Sequence, residues 1–226
     1  MSKPRIDPAT VAAPATTAPW RDEISAALSA PEPFDTRSIF HELNPHLKKS
    51  PIFQRPMKEY RPAAVLFPII DRPEEPSVLL TIRSNDMPSH AGQISFPGGR
   101  VQQEDRDHTD TALRETWEEV GIERNYVEVM GDMGLHLGGM GFAVTPVVGI
   151  IHPDADFTPC PREVQGMFEV PLAHLFDLDK HVIEERENNG VKYRMPAIPY
   201  GEFHIWGLTA GIINSLAKAV HDRRDG

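Results

Sequence analysis

The sequence predicts a mixed α/β domain, and three patterns carry that expectation. Runs rich in β-branched and aromatic residues at 63–70, 78–83 and 142–151 read as strands. Between them, Leu113, Trp117 and Val120 recur at helical spacing and the pattern stops at Gly121. After them, residues 205–220 repeat apolar positions at helical spacing and predict an amphipathic terminal helix. With 226 residues and 40% apolar composition, the chain can bury one good core, and a second full domain is not expected.

The remaining elements follow in chain order. The first twenty residues are rich in Pro, Ala and Thr without an apolar h-region, and read as a disordered lead rather than a secretory signal. Residues 20–30 and 36–43 suit short helices packing on the domain or on a second subunit, the latter implying a homodimer. We therefore expect an N-terminal extension over 1–58 and the α/β domain over 59–226. Pro73 and Pro76 mark the turn between the first two strands. A short alternating strand ends at Pro97-Gly98-Gly99, and polar residues 101–110 lead into a helix beginning near Thr109 or Asp110, both good N-caps. Strands at 127–131 and 142–151 flank a glycine-rich loop, 138–141, that is either a lid or a plain hairpin connection. Residues 161–170 read as a loop. Segments 182–185 and 192–200 suggest a hairpin turning at Asn188-Asn189-Gly190.

Composition excludes several classes. A net charge of −10 argues against a nucleic-acid surface, which draws on Lys and Arg. No apolar run approaches the ~20 residues needed to span a bilayer, so no membrane partner is expected. The single cysteine, Cys160 between two prolines, excludes an internal disulfide and is compatible with a reducing cytoplasm, where the protein is expected. His41-Glu42 invites a zinc-protease reading, but His46 comes one residue too late and Pro45 intervenes, so that reading is rejected.

The segment Arg114-Glu115-Thr116-Trp117-Glu118-Glu119-Val120-Gly121 carries the most chemistry. A helix advances about 100° per residue, so Glu115, Glu118 and Glu119 share one face, with Leu113, Trp117 and Val120 opposite. Three anions a turn apart repel one another, and a hard divalent cation with oxygen ligands would relieve that repulsion. The same spacing also suits a solvated acidic face. Arg114 either orients a carboxylate or forms an ordinary surface ion pair.

Gly99 to Ile122 resembles the Nudix box: a glycine, an acid, then Arg-Glu-x-x-Glu-Glu-x-Gly and an apolar residue. One departure stands out, since Asp105 occupies the acidic position with eight rather than seven residues before Arg114. The resemblance implies an α/β/α sandwich with a mixed central sheet, and hydrolysis of a pyrophosphate bond with Mg²⁺ or Mn²⁺. It further implies that Glu115 and Glu119 are the principal metal ligands and Glu118 a further ligand. Arg114, Glu118 and Glu119 are then catalytic. The general base comes either from the box or from a loop carboxylate, for which Glu163 and Glu169 are the candidates.

A second motif, Leu79-Leu80-Thr81-Ile82-Arg83-Ser84 followed by His90-x-Gly92-Gln93-x-x-Phe96-Pro97-Gly98-Gly99, is similar to the extra motif of coenzyme A pyrophosphatases. The likeness continues through Gly141-Phe142 and on to Ile205-Trp206-Gly207-x-Thr209-Ala210. It implies that Arg83, His90, Gln93, Gly98 and Gly99 bind substrate. Their ordinary readings are a surface charge for Arg83, backbone satisfaction for His90 and Gln93, and a turn for the glycines. The subfamily often carries a basic residue just before the histidine; here Met87-Pro88-Ser89 precedes His90, which leaves the adenosine 3′-phosphate without that contact. The leading expectation is a coenzyme A pyrophosphatase acting on a small nucleotide substrate. The alternatives are a Nudix pyrophosphatase for ADP-ribose, a dinucleotide or a damaged nucleoside triphosphate, and a nucleotide sensor that binds without cutting.

Overall fold

The computed structural model describes residues 18–29, 40, 42–50, 55–86, 92–138, 141–188 and 190–224. Its strands are β1 (Arg61–Ile70), β2 (Ser77–Arg83), β3 (Ile94–Ser95), β4 (Gly98–Arg100), β5 (Val127–Asp132), β6 (His136–Gly138), β7 (Phe142–Ile151), β8 (Val164–Pro171), β9 (Val182–Asn188), β10 (Val191–Tyr200) and β11 (Phe203–Trp206). Its longer helices are α1 (Pro19–Leu28), α2 (His108–Val120), α3 (Leu172–Phe176) and α4 (Gly207–Arg224).

Strands β1 and β7 run parallel through ten paired positions, from Arg61 opposite Phe142 to Ile70 opposite Ile151. Every other pairing is antiparallel: β2 and β4 on β1, β3 and β8 on β2, β5 and β6 on β7. The result is a mixed eight-stranded sheet. Its central strands are near-continuous apolar runs because both faces are covered. Ala64, Leu66 and Ile70 face Ala112, Leu113 and Val120 of α2. Phe67, Ile69 and Val148 face Ile213 and Leu216 of α4 and Ile24 and Ala27 of α1. The expected α/β/α sandwich is thus the observed one, and each fully buried Leu, Ile or Phe in it contributes roughly 1.5–3 kcal/mol.

A second sheet of β11, β10 and β9 closes one end, joined to the first through Phe168 stacked on Phe203 at 3.7 Å. Helix α1 is bolted down by Arg21, which pairs with Asp71 at 2.8 Å and Glu128 at 3.0 Å, and by Glu23, which accepts from Arg224 Nε at 2.9 Å. Of the helix expected at 36–43, Phe40, Glu42 and Leu43 are described and helical; the other positions, like residues 1–17, Ala30, Gly139, Met140 and Asn189, lie outside the described residues.

Several expectations need correction. Helix α2 begins at His108, because Asp107 rather than Thr109 or Asp110 caps it, accepting from the Asp110 amide at 2.7 Å. Trp117 is 58% exposed: the buried face of α2 turns through Ala112, Thr116 and Glu119 and leaves Trp117 at its margin. Residues 161–170 are a loop only as far as Glu163, since Val164 onward pairs with β2. The terminal helix starts at Gly207, and Ile205 and Trp206 belong to β11. On either side of the undescribed Gly139 and Met140, Gly138 pairs with Phe142 and the Gly141 amide donates to Gly138 O at 3.0 Å, contacts that suit the plain hairpin connection.

Candidate active site

The site forms where β4 lies beneath α2. Gly98 and Gly99 are strand residues rather than a turn. A Cβ on Gly98 would sit 2.5 Å from the Ala64 carbonyl oxygen, so close pairing with β1 admits only glycine there. A Cβ on Gly99 would sit 2.5 Å from both carboxylate oxygens of Glu115. Glycine at 99 is what lets that carboxylate lie against the strand.

Arg114 organises the exposed half of the cluster. It grips Asp105 in a bidentate fork, Nε to Oδ1 at 2.8 Å and Nη2 to Oδ2 at 2.9 Å. Its Nη1 donates to Glu115 at 2.8 Å and to Glu118 at 3.2 Å, while Nη2 also reaches the Arg100 carbonyl at 3.1 Å. The Asp105 side chain is only 3% exposed and also accepts from the Gln102 amide and the Thr111 hydroxyl, each at 2.8 Å. The Arg114 hydrogen bonds, more than any other partner, hold its carboxyl far below the usual range. The extra residue before Arg114 is thus taken up in the loop without losing this acid, whose anchoring role spacing alone did not reveal.

Glu119 points the other way, into the protein, with its side chain 3% exposed. Burial pushes its carboxyl up to about 8, opposed by the Arg83 charge and the Gly98 amide and reinforced by Glu115 and Glu163. Arg83 Nη1 lies 3.5 Å from Glu119 Oε1 and the Gly98 amide donates to Oε2 at 3.3 Å, both long contacts. The Nε of Arg83 is buried without a partner among the described residues. Burial also raises Glu115, less the effect of Arg114 and plus that of Glu118 and Glu163. Glu118 is 39% exposed.

Glu163 reaches the site through the end of α2. The last helical carbonyls lack intrahelical donors; those of Glu119 and Val120 accept from the Cys160 and Thr158 amides, each at 2.8 Å. The loop so held returns at Glu163, whose carbonyl accepts from Ser84 next to Arg83. Its charge raises both Glu115 and Glu119. Glu169, by contrast, is paired with Arg72 and accepts from Ser77 Oγ, each at 2.5 Å, which removes it as a candidate base. The carbonyl of Gln93 accepts from the Arg83 amide at 3.0 Å. His90, with Pro88, lies outside the described residues.

The model of the NUDIX domain family matches residues 59–188, more than half of the chain. The chain belongs to the Nudix family. Its members are pyrophosphohydrolases acting on phosphoanhydride bonds. A relative named as an uncharacterized Nudix hydrolase, NudL, of Pectobacterium atrosepticum is 43% identical over 169 residues, covering 75% of this chain and 88% of its own. The protein of the same name from Escherichia coli K12 is 40% identical over 186 residues, covering 82% and 93%. Among solved structures, the MutT/nudix family protein from Enterococcus faecalis overlays with a TM-score of 0.48 at 16% identity, over 92% of this chain and 76% of that one.

Divalent ions are general to the Nudix family. Among the described residues no three carboxylates are gathered as a ready metal cluster, since Arg114 lies between Glu115 and Glu118. The donor set nevertheless fits such an ion. Glu115 and Glu119 are hard oxygen donors whose burial is poorly compensated, Glu119 having one arginine at 3.5 Å. Glu115, Glu119 and, with Arg114 shifted, Glu118 are the residues that would hold it.

Proposed function

We propose that the chain is a Mg²⁺- or Mn²⁺-dependent pyrophosphatase of coenzyme A and its acyl or oxidised forms. Water adds across the pyrophosphate, releasing adenosine 3′,5′-bisphosphate and 4′-phosphopantetheine or its acyl form. The observation that carries this reading is the contact between two motifs. Arg83, Gly98 and Gly99, from the stretch that resembles the coenzyme A motif, lie directly against Glu119 and Glu115 of the Nudix box.

In this reading Glu115 and Glu119 hold the ion, with Glu118 as a further ligand, and Arg114 orients Glu115 and Glu118 while Asp105 holds Arg114. The ion, when bound, neutralises phosphate charge and lowers the pKa of a coordinated water. Arg83 offers an unpartnered buried N–H to a phosphate oxygen. Gly98 and Gly99 allow the phosphates to approach the backbone, and Gln93 and His90 bind substrate by their place in the coenzyme A motif that the sequence resembles. Glu163, held beside both metal-ligand candidates, accepts the proton of the attacking water.

The test is incubation with Mg²⁺ or Mn²⁺ and either coenzyme A or ADP-ribose, with products identified by mass. Release of adenosine 3′,5′-bisphosphate in clear preference to cleavage of ADP-ribose supports the reading. Preferred cleavage of ADP-ribose would replace the substrate while keeping the chemistry, and binding without products would leave a sensor.

A further inference from the structure

We propose that Arg100, beside Phe142, and Arg55, beside the preceding Gly141, form an anion subsite for a phosphomonoester that the substrate carries beyond its scissile pyrophosphate. The proposal rests on the pyrophosphatase reading above. The Arg61 guanidinium lies 4.1 Å from the Phe142 ring centroid and that of Arg100 lies 5.5 Å from it. Arg55 packs over Gly141, the residue before Phe142, so that a Cβ there would collide with its guanidinium. It also lies 5.5 Å from the ring of Tyr60, the residue before Arg61. Two guanidiniums thus lie against the Phe142 ring, and a third lies over the residue before it, in a chain whose net charge is −10. No carboxylate is placed against Arg55 or Arg100 among the described residues.

Arg61 has a further partner of its own, so the charge a bound dianion would meet is chiefly that of Arg55 and Arg100. The ring faces hold the guanidiniums by cation–π attraction, which presets their positions. Planar guanidinium forks match phosphate oxygens, two donors at a time. The cluster also lies where a bound nucleotide would reach it. Arg100 sits across from Ala63, and Phe142 across from Arg61, so these side chains share the sheet face that bears Phe67 and Ile69. Gly99, one residue before Arg100, faces the other way, toward Glu115. Strand β4 pairs only with β1 among the described strands and is therefore a rim with the carboxylates on one side and the arginines on the other. A ligand whose pyrophosphate lies at Glu115 and Glu119 needs only to cross this rim to place another phosphate at Arg100. This would supply the positive charge that Pro88 does not.

The test is equilibrium binding without metal, comparing adenosine 3′,5′-bisphosphate, adenosine 5′-monophosphate and inorganic phosphate on wild type, Arg100→Gln and Arg55→Gln. The bisphosphate is expected to bind about tenfold tighter than the monophosphate, a gap the size of one charge-assisted contact, and to lose most of that margin in both variants. Equal affinities in wild type, or a margin untouched in both variants, would overturn the proposal. So would inorganic phosphate binding as tightly as the bisphosphate, which would make the cluster a site for free anion. A kinetic arm measures the ratio of kcat/KM for coenzyme A over 3′-dephospho-coenzyme A, expected to fall severalfold in Arg100→Gln and overturning the proposal if it does not. Wild type that cleaves neither compound would sink the coenzyme A reading, while the binding arm still decides the subsite.

Discussion

Gly99 lies so close to Glu115 that a Cβ on the strand would stand 2.5 Å from both oxygens of the carboxylate. The strand and the helix are therefore fitted to each other at one hydrogen atom. Gly99→Ala is expected to push the Glu115 carboxylate off the strand while leaving the two main core clusters in place. A displacement of about 1 Å in a reacting constellation costs about 100-fold in rate. The measurement is kcat/KM at saturating metal beside a thermal melt. Activity within a few-fold of wild type would show that Glu115 does not need its observed position.

Asp105 and Arg114 form the buried fork on which Glu115 and Glu118 hang. Removing Asp105 takes the bidentate partner from Arg114 and leaves it Glu115, Glu118 and the Arg100 carbonyl, a loss of charge-assisted hydrogen bonding of about 2 kcal/mol. Asp105→Ala should therefore lower the unfolding free energy by about that amount and reduce turnover as well. Asp105→Glu should recover part of both. Denaturant titration and steady-state rates read the two effects separately, and an unchanged denaturation midpoint would contradict the pairing.

These two relationships mark what was legible in the chain. Local signals carried the strands, the α2 helix and the carboxylate spacing, because side-chain period and turn chemistry are local properties. Residue identity alone could not say that Glu119 turns inward beside Arg83 while Glu118 turns outward, since both lie on the same nominal stripe. The direction is set by where β4 and the 158–163 loop press on the helix. Glu169 looked free because its partners, Arg72 and Ser77, are over ninety positions away in sequence and arrive only through the pairing of β8 with β2. The arginines around Phe142 were hidden likewise, brought together by the β1–β7 and β1–β4 registers.

His181 links α3 to α4 through a neutral ring. Its Nε2 lies 2.8 Å from the Leu175 carbonyl and its Nδ1 2.7 Å from Asn214 Nδ2, so the ring donates at Nε2 and accepts at Nδ1. Burial lowers its pKa, opposed by the Leu175 bond and Asp177 and assisted by Lys218 and His174. The unfolded chain then binds this proton more readily than the folded one. Stability from this group is complete above about pH 6.5 and is lost as pH falls from there through the lower folded pKa. Urea titrations at pH 7.5 and 5.5 should show a smaller acid loss for His181→Gln than for wild type. An identical loss in both would remove His181 as the cause.

Glu119 works in the opposite sense. Its folded carboxyl is raised to about 8, chiefly by burial, so between roughly pH 4.5 and 8 the folded metal-free protein holds a proton that the unfolded chain has released. Stability from this group is therefore present at low pH and falls as pH rises through about 8. Glu119→Gln keeps the shape and removes the charge. It is expected to abolish turnover and yet, with a chelator present, to melt at a higher temperature than wild type by a margin that widens from pH 6 toward 8. A Glu119 that holds the ion, as proposed, must lose that proton, so metal affinity of wild type should climb over the same interval and level off above it. Isothermal titration with Mn²⁺ in buffers of different ionisation enthalpy counts the released proton directly. A variant that melts below wild type at pH 8, or metal binding that releases no proton at pH 7, would show that the buried carboxylate is already ionised and satisfied.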